Sequence, residues 1–200
     1  KWPVYPSYGL TEMASQVATV QPASPPAKRM TSGKALRFRE LRIGAGGEIQ
    51  VRGSTLFQGY VGPDGLEKPF DAEGWFSTGD VGSLDGDGYL TVQGRRDNMF
   101  ISGGENIQPE EIERLLGGLP EVAEAVVVPV EHPEFGERPV AFVRWRGEPL
   151  QLDVVRARLG SVLPKFKLPD ALLPWPAEGA GLKVDRAALK KLAKEIHPHA

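Results

Sequence analysis

Ser102-Gly103-Gly104-Glu105-Asn106-Ile107-Gln108-Pro109-Glu110-Glu111-Ile112-Glu113 carries a two-glycine turn straight into the start of a helix. Pro109 suits the first helical turn, because its missing N–H is not needed there. Glu110 and Glu111 sit well near the positive end of the helix dipole. Ile112, Leu115 and Leu116 fall on one face, and Gly117-Gly118 stops the helix. Beyond it, Ala125-Val126-Val127-Val128-Pro129-Val130 predicts a buried strand. Val140 to Trp145 is its expected partner, joined through the loop around His132-Pro133. Leu152, Val155, Leu159 and Val162 predict a second amphipathic helix that ends before Pro164. Asp185 is placed to cap a last helix with Leu189, Leu192 and Ile196 as its apolar face. Residues 97–200 therefore read as a small α+β domain.

Upstream the pattern is different. The opening Lys1–Pro6 reads as a short buried strand. Pro22, Pro25 and Pro26 mark residues 21–34 as a loop. Leu41, Ile43, Ile49 and Val51 alternate with polar residues around Gly44-Ala45-Gly46-Gly47, which predicts a β-hairpin. Asp85-Gly86-Asp87-Gly88 begins another turn, followed by a strand with Tyr89, Leu90 and Val92. Residues 1–96 read as mostly β, so the fold class expected for the whole chain is α+β.

The chain has 200 residues, 40% hydrophobic and 25% charged, enough for one or two globular domains. A formal net charge of -2 argues against a nucleic-acid surface. The absence of cysteine excludes disulfides, thiolate catalysis and zinc–thiolate sites. No apolar run approaches the roughly 18 residues of a membrane helix, and Lys1–Pro6 has no signal-peptide core. A soluble cytoplasmic protein is the expectation. Asp85 and Asp87 lack the other ligands of a calcium loop. His132, His197 and His199 are too scattered for a structural metal site, and no Ser–His–Asp order suggests hydrolysis.

Several short stretches could carry chemistry, each with a plain structural alternative. Tyr8-Gly9-Leu10-Thr11-Glu12 offers a hydroxyl for a phosphate and a carboxylate for Mg²⁺; it also reads as a strand-to-helix turn with a Thr N-cap. Asp80, after Thr78-Gly79, is suited to two vicinal hydroxyls or to an ordinary turn. Gly94-Arg95-Arg96-Asp97 is also the composition of a surface salt-bridge cluster. Ser102-Gly103-Gly104-Glu105 is either a loop that approaches a ligand closely or a glycine-rich hairpin turn. Lys183, in Gly179-Ala180-Gly181-Leu182-Lys183-Val184-Asp185-Arg186, is a mobile-loop cation or one more solvated lysine beside Lys190, Lys191 and Lys194.

Taken in order, these stretches resemble the late motifs of the adenylate-forming enzymes, the superfamily of acyl-CoA synthetases, luciferases and peptide-synthetase adenylation domains. Gly47-Glu48-Ile49-Gln50-Val51-Arg52-Gly53 with Gly59-Tyr60 resembles a further motif of that superfamily. The wording SGGENIQPEEIE looks most like the o-succinylbenzoate–CoA ligases of menaquinone biosynthesis. The resemblance implies an enzyme more than twice this length. Residues 1–96 would then be the end of its large AMP-binding domain, and residues 97–200 its mobile C-terminal lid. Without the missing N-terminal part and its phosphate loop, the isolated piece would be inactive. Apolar surface exposed at the cut would drive association into a homo-oligomer.

The resemblance also implies roles. Thr11 would contact the α-phosphate of ATP, Glu12 would hold Mg²⁺, and Tyr8, beside Gly9, would flank the adenine. Asp80 and Arg95 would hold the ribose. Asp97 matches the hinge position, needed because adenylation and thioester formation share one site. Gly103 and Gly104 would leave room for the pantetheine arm of CoA. Lys183 would supply positive charge at the reacting phosphate. Ser15 and Gln16, by position, would face the small-molecule carboxylic acid. Many relatives carry a lysine where Ile101 stands, and the usual motif has Gly directly before the lysine where Leu182 stands; both departures accord with the o-succinylbenzoate branch. A ligase for another aryl or fatty acid is the alternative.

Overall fold

The computed structural model describes residues 3–176 and 185–197, and the chain divides into two compact units, Lys1–Asp97 and Asn98–Ala200. None of the described helices is long and apolar enough to cross a membrane.

The first unit is built of strands. β1 (Ser7–Leu10), β2 (Ser15–Thr19) and β3 (Lys34–Ala35) form an antiparallel sheet. β4 (Arg39–Ile43) and β5 (Glu48–Gly53) make the expected hairpin, with Leu41 opposite Val51 and Ile43 opposite Ile49. Its turn uses Gly46 and Gly47 at φ 67° and 78°, the left-handed region that glycine enters without strain. A second hairpin, β6 (Tyr60–Gly62) and β7 (Gly65–Glu67), stands by itself. β8 (Phe76–Leu84) and β9 (Leu90–Arg95) extend the first hairpin into a sheet ordered β4-β5-β8-β9. Met13, Val17, Ile49, Val51, Phe76 and Leu90 pack together as the core. Residues 3–6 are exposed and outside any strand, contrary to the buried strand expected there. Two of those four residues are prolines, which cannot donate to a ladder.

The second unit is mixed. β10 (Phe100–Ser102) and β11 (Glu105–Ile107) form a short hairpin leading into α1 (Pro109–Gly117). β12 (Val122–His132) pairs antiparallel along its length with β13 (Gly136–Trp145). α2 (Leu152–Leu159), β14 (Ala171–Pro174) and α3 (Arg186–Ile196) follow, and β14 runs parallel to β13. The unbroken apolar run of β12 has a direct cause. Val127, with Ala141 and Val143, packs against Ile112, Leu116, Val155 and Leu159. Val126, Val128 and Val130 turn the other way, toward Leu189 and Ala193. A strand covered on both faces has no position left for a polar residue.

Two helix ends differ from expectation. α2 stops at Leu159, with Gly160 as its C-cap, so Val162 is 65% exposed and Leu163 is buried in its place. In α3, Ile196 is 47% exposed, while Ala193, one turn beyond Leu189, fills the buried stripe. Asp185 caps α3 as expected, accepting from the backbone N–H groups of Ala187 and Ala188.

Arg138 organises the end of β13. It is 7% exposed. Its guanidinium donates to both carboxylate oxygens of Asp170, to the carbonyls of Phe166 and Leu168, and to Ser102 Oγ. All the N–H groups of the side chain are thereby used. Arg138→Met keeps the length of the side chain but strips these acceptors of their donor. It is expected to destabilise the second unit by about 3 kcal/mol, read as a lowered urea midpoint for the loss of protected amides in β12 and β13.

Candidate functional site

β1 ends at Leu10, and residues Thr11–Met13 form one 3₁₀ turn. Leu10 is the N-cap residue and no side chain caps the turn, so Thr11 is not the N-cap that the simple structural alternative required. Ala14, at φ 59°, then turns the chain back into β2. The tight return explains Gly9, where an added Cβ would lie 2.3 Å from the Ser15 carbonyl oxygen. Thr11, Ser15 and Gln16 are exposed and, with Gly9 and Leu10, line a depression of about 590 Å³.

Next along β1, Tyr8 is buried and its phenol donates to Asp80 Oδ2 at 2.6 Å. Arg95 Nη1 donates to Asp80 Oδ1 at 3.1 Å and to the Thr78 carbonyl at 3.1 Å. Burial, reinforced by the bond to Asp80, pushes the Tyr8 phenol well above its ordinary pKa, so it stays protonated and donating. Each Asp80 oxygen still has a lone pair for a further hydroxyl donor. Gly79 lies at φ 74°, and a Cβ there would stand 3.2 Å from Arg95 Nη2. The glycine thus serves both the backbone turn and the seat of the guanidinium. Tyr8, Asp80 and Arg95, distant in sequence, form one hydrogen-bonded group.

Glu12 Oε1 accepts from Tyr60 at 2.7 Å. That bond pushes the Tyr60 phenol pKa up and keeps it a donor. The Tyr60 ring packs edge-on against Phe57, with centroids 4.7 Å apart. Among the described residues no group of three or more His, Cys, Asp or Glu could hold a metal ion. A lone carboxylate suits Mg²⁺ bound largely through phosphate oxygens and water. Tyr60 and Glu48 are the functional candidates that motif reading left without a role. Glu48 is 7% exposed; its Oε1 accepts from the Gly79 N–H at 3.1 Å and its Oε2 from Arg96 at 2.8 Å. A glutamate that alternates away from Ile49 and Val51 reads as a solvated strand residue, so no local pattern singles it out. Arg95 and Arg96 therefore go to separate acidic partners, each through a guanidinium that is about half exposed.

In the second unit Gly103 and Gly104, at φ 58° and 87°, are the two-residue turn of the β10–β11 hairpin. The hairpin alternative is thus right about local structure and leaves a ligand role open. The Gly103 N–H donates to the Phe135 carbonyl at 2.8 Å, and nothing lies within 4 Å of a Cβ built on Gly104. Asp97 is in the 3₁₀ turn Arg96–Asn98, where the two units divide. Lys183 lies outside the described residues.

Residues 111–177 match the model of the AMP-binding enzyme C-terminal domain. The chain belongs to the adenylate-forming enzymes, among relatives named 2-succinylbenzoate–CoA ligase. It is 38% identical over 197 residues to the 2-succinylbenzoate–CoA ligase of Listeria innocua, covering 94% of this chain and 41% of that one. A variant of E. coli MenE with bound OSB-AMS superposes with a TM-score of 0.84 at 37% identity, covering 96% of this chain and 41% of that one. The o-succinylbenzoate CoA synthetase (MenE) from Bacillus subtilis, in complex with the acyl-adenylate intermediate OSB-AMP, gives a TM-score of 0.84 at 33% identity. That match covers 94% of this chain and 41% of the other. The chain spans about two fifths of the length of the relatives it matches.

The Tyr8 bond makes a testable contribution to stability. Tyr8→Phe is expected to cost about 1–2 kcal/mol at neutral pH. Because folding raises the phenol pKa, this contribution is complete below about pH 10, the ordinary phenol value, and is lost as pH rises toward the folded value. Denaturation of both proteins from neutral to strongly alkaline pH should show the gap between them closing at the alkaline end.

Proposed function

We propose that this chain is the C-terminal portion of an ATP-dependent acid–CoA ligase that converts o-succinylbenzoate into o-succinylbenzoyl-CoA through an acyl-adenylate. The observation that carries the reading is the Tyr8–Asp80–Arg95 group. Three residues that motif reading assigned to one nucleoside share a single hydrogen-bonded network. A carboxylate fixed by two donors is preorganised for the vicinal hydroxyls of ribose, with little side-chain entropy left to lose. The relatives' names support the choice of acid.

In this reading Asp80 accepts from the ribose hydroxyls, Arg95 flanks them, and Tyr8, with Gly9 beside it, borders the adenine side. The Thr11 hydroxyl donates to the α-phosphate. Glu12 offers Mg²⁺ one carboxylate, steadied by Tyr60, and the ion when bound would offset charge on the phosphates. A substrate carboxylate oxygen attacks the α-phosphorus, the bond to pyrophosphate breaks, and acyl-adenylate remains. The thiol sulfur of CoA then attacks the acyl carbonyl, AMP leaves, and the thiol proton is given up. Gly103 and Gly104 form a turn without side chains for the pantetheine arm. Asp97 is the hinge residue between the two half-reactions, and Lys183 is the adenylation cation. Ser15 and Gln16, in the depression beside Thr11, contact the acid. We place the enzyme in the cytoplasm, where ATP and CoA are supplied.

The test is ATP–pyrophosphate exchange in the full-length enzyme. Exchange should depend on o-succinylbenzoate and fall about a hundred- to a thousandfold in Lys183→Ala. Exchange driven instead by another aryl or fatty acid would replace the substrate. Activity that survives Lys183→Ala would remove that lysine from the chemistry. Ser15→Ala should reduce the preference for o-succinylbenzoate over acids lacking its second carboxylate; an unchanged preference would take Ser15 out of the acid site.

A further inference from the structure

The turn that presents Asp80 is a bulge, and a side chain holds it. On β5 and β8, Glu48 is opposite Val81 and Gln50 is opposite Ser77. Thr78, Gly79 and Asp80 therefore all stand against Ile49 alone. A strand with extra residues cannot satisfy every backbone group through its ladder. Two side chains take over. Thr78 Oγ1 donates to the Ile49 carbonyl at 2.8 Å and accepts from the Asp80 N–H at 3.1 Å. Glu48 Oε1 accepts from the Gly79 N–H at 3.1 Å. The other Glu48 oxygen accepts from Arg96, next to the Arg95 that pairs with Asp80.

We propose that Glu48 is a positioning residue for nucleotide recognition: its buried carboxylate fixes the Gly79 amide and thereby the aim of the Asp80 carboxylate at the ribose hydroxyls. This rests on the reading of Asp80 given above. Burying a carboxylate is costly unless its partners are in place, and Glu48 is buried although it alternates away from Ile49 and Val51, the β5 residues that pack in the core. What an apolar residue cannot supply is an acceptor for the bulged N–H. The Arg96 bond is secondary in this respect, since that guanidinium is more than half exposed and its pairing is screened by solvent.

Glu48→Gln retains an acceptor oxygen for Gly79 and loses the charge. Glu48→Ala and Glu48→Leu remove the acceptor, and the leucine keeps most of the volume. The readout is calorimetric binding of AMP, 2′-deoxy-AMP and 3′-deoxy-AMP to the full-length enzyme. The ratio of affinities, AMP over each deoxy analogue, measures the grip on the hydroxyls. Glu48→Leu and Glu48→Ala should lower this ratio about tenfold, while Glu48→Gln restores it to the wild-type value. A merely structural role would weaken all three nucleotides by one factor and leave the ratio unchanged, which overturns the proposal. A ratio that falls equally in Glu48→Gln also overturns it, because the charge and not the acceptor would then be what counts. A wild-type enzyme that binds the three nucleotides equally overturns the ribose role of Asp80, and the proposal with it. If Glu48→Ala does not fold, Glu48→Leu against Glu48→Gln decides.

Discussion

A backbone N–H drawn out of its ladder and away from water needs another acceptor, and for the half-buried Gly79 in the first unit a side chain supplies it. The ladder between β5 and β8 breaks at Ile49. Left to itself the break would strand the Gly79 amide, at a cost of about 1–3 kcal/mol. The Glu48 carboxylate removes that cost. Once the bulge is held, Gly79 takes a positive φ, Asp80 turns toward Tyr8, and Arg95 comes in from β9 to close the group.

The second unit meets the same kind of requirement with the opposite charge. The segment between α2 and β14 returns to the sheet and leaves carbonyls at Phe166 and Leu168 pointing inward. Arg138 donates to both while gripping Asp170. It also reaches Ser102, directly before the Gly103-Gly104 turn. In both units a buried charged side chain one strand away bonds at or directly beside a glycine turn. A carboxylate can satisfy donors and a guanidinium acceptors, which is why the bulged N–H is met by Glu48 and the stray carbonyls by Arg138.

The elements legible in the sequence were those with a local cause. α1 follows from Pro109 and the glutamates after it, and the β4–β5 hairpin from its glycine turn. α3 begins where Asp185 can cap it. The misreadings have causes of both kinds, local and tertiary. Val162 continues the apolar period of α2, but Gly160 ends the helix first. β14 has only four residues, ends in a proline, and exists because β13 offers a parallel edge. At the site, Tyr8, Asp80 and Arg95 could be named from motifs, but not the bonds joining them, since those span as many as 72 positions. Glu48 and Tyr60 bond to groups 31 to 48 positions away, and no local pattern of residues records such a partnership.

The two carboxylates at the candidate nucleotide site differ in how firmly they are held, and the difference fits their proposed tasks. Asp80 has a donor on each oxygen, one from the buried Tyr8 phenol and one from Arg95. Much of its charge is answered within the protein, and what remains is directional: lone pairs at fixed angles, suited to neutral hydroxyls. Glu12 takes one bond from a neutral phenol, which orients it without cancelling its charge. A divalent cation needs that charge, and it tolerates some rotation of the carboxylate as its own shell of phosphate and water adjusts. Interchanging the two environments would spoil both functions. On the proposed roles, an Arg beside Glu12 would compete with the metal, and an Asp80 without Arg95 would lose one of the two donors that orient it.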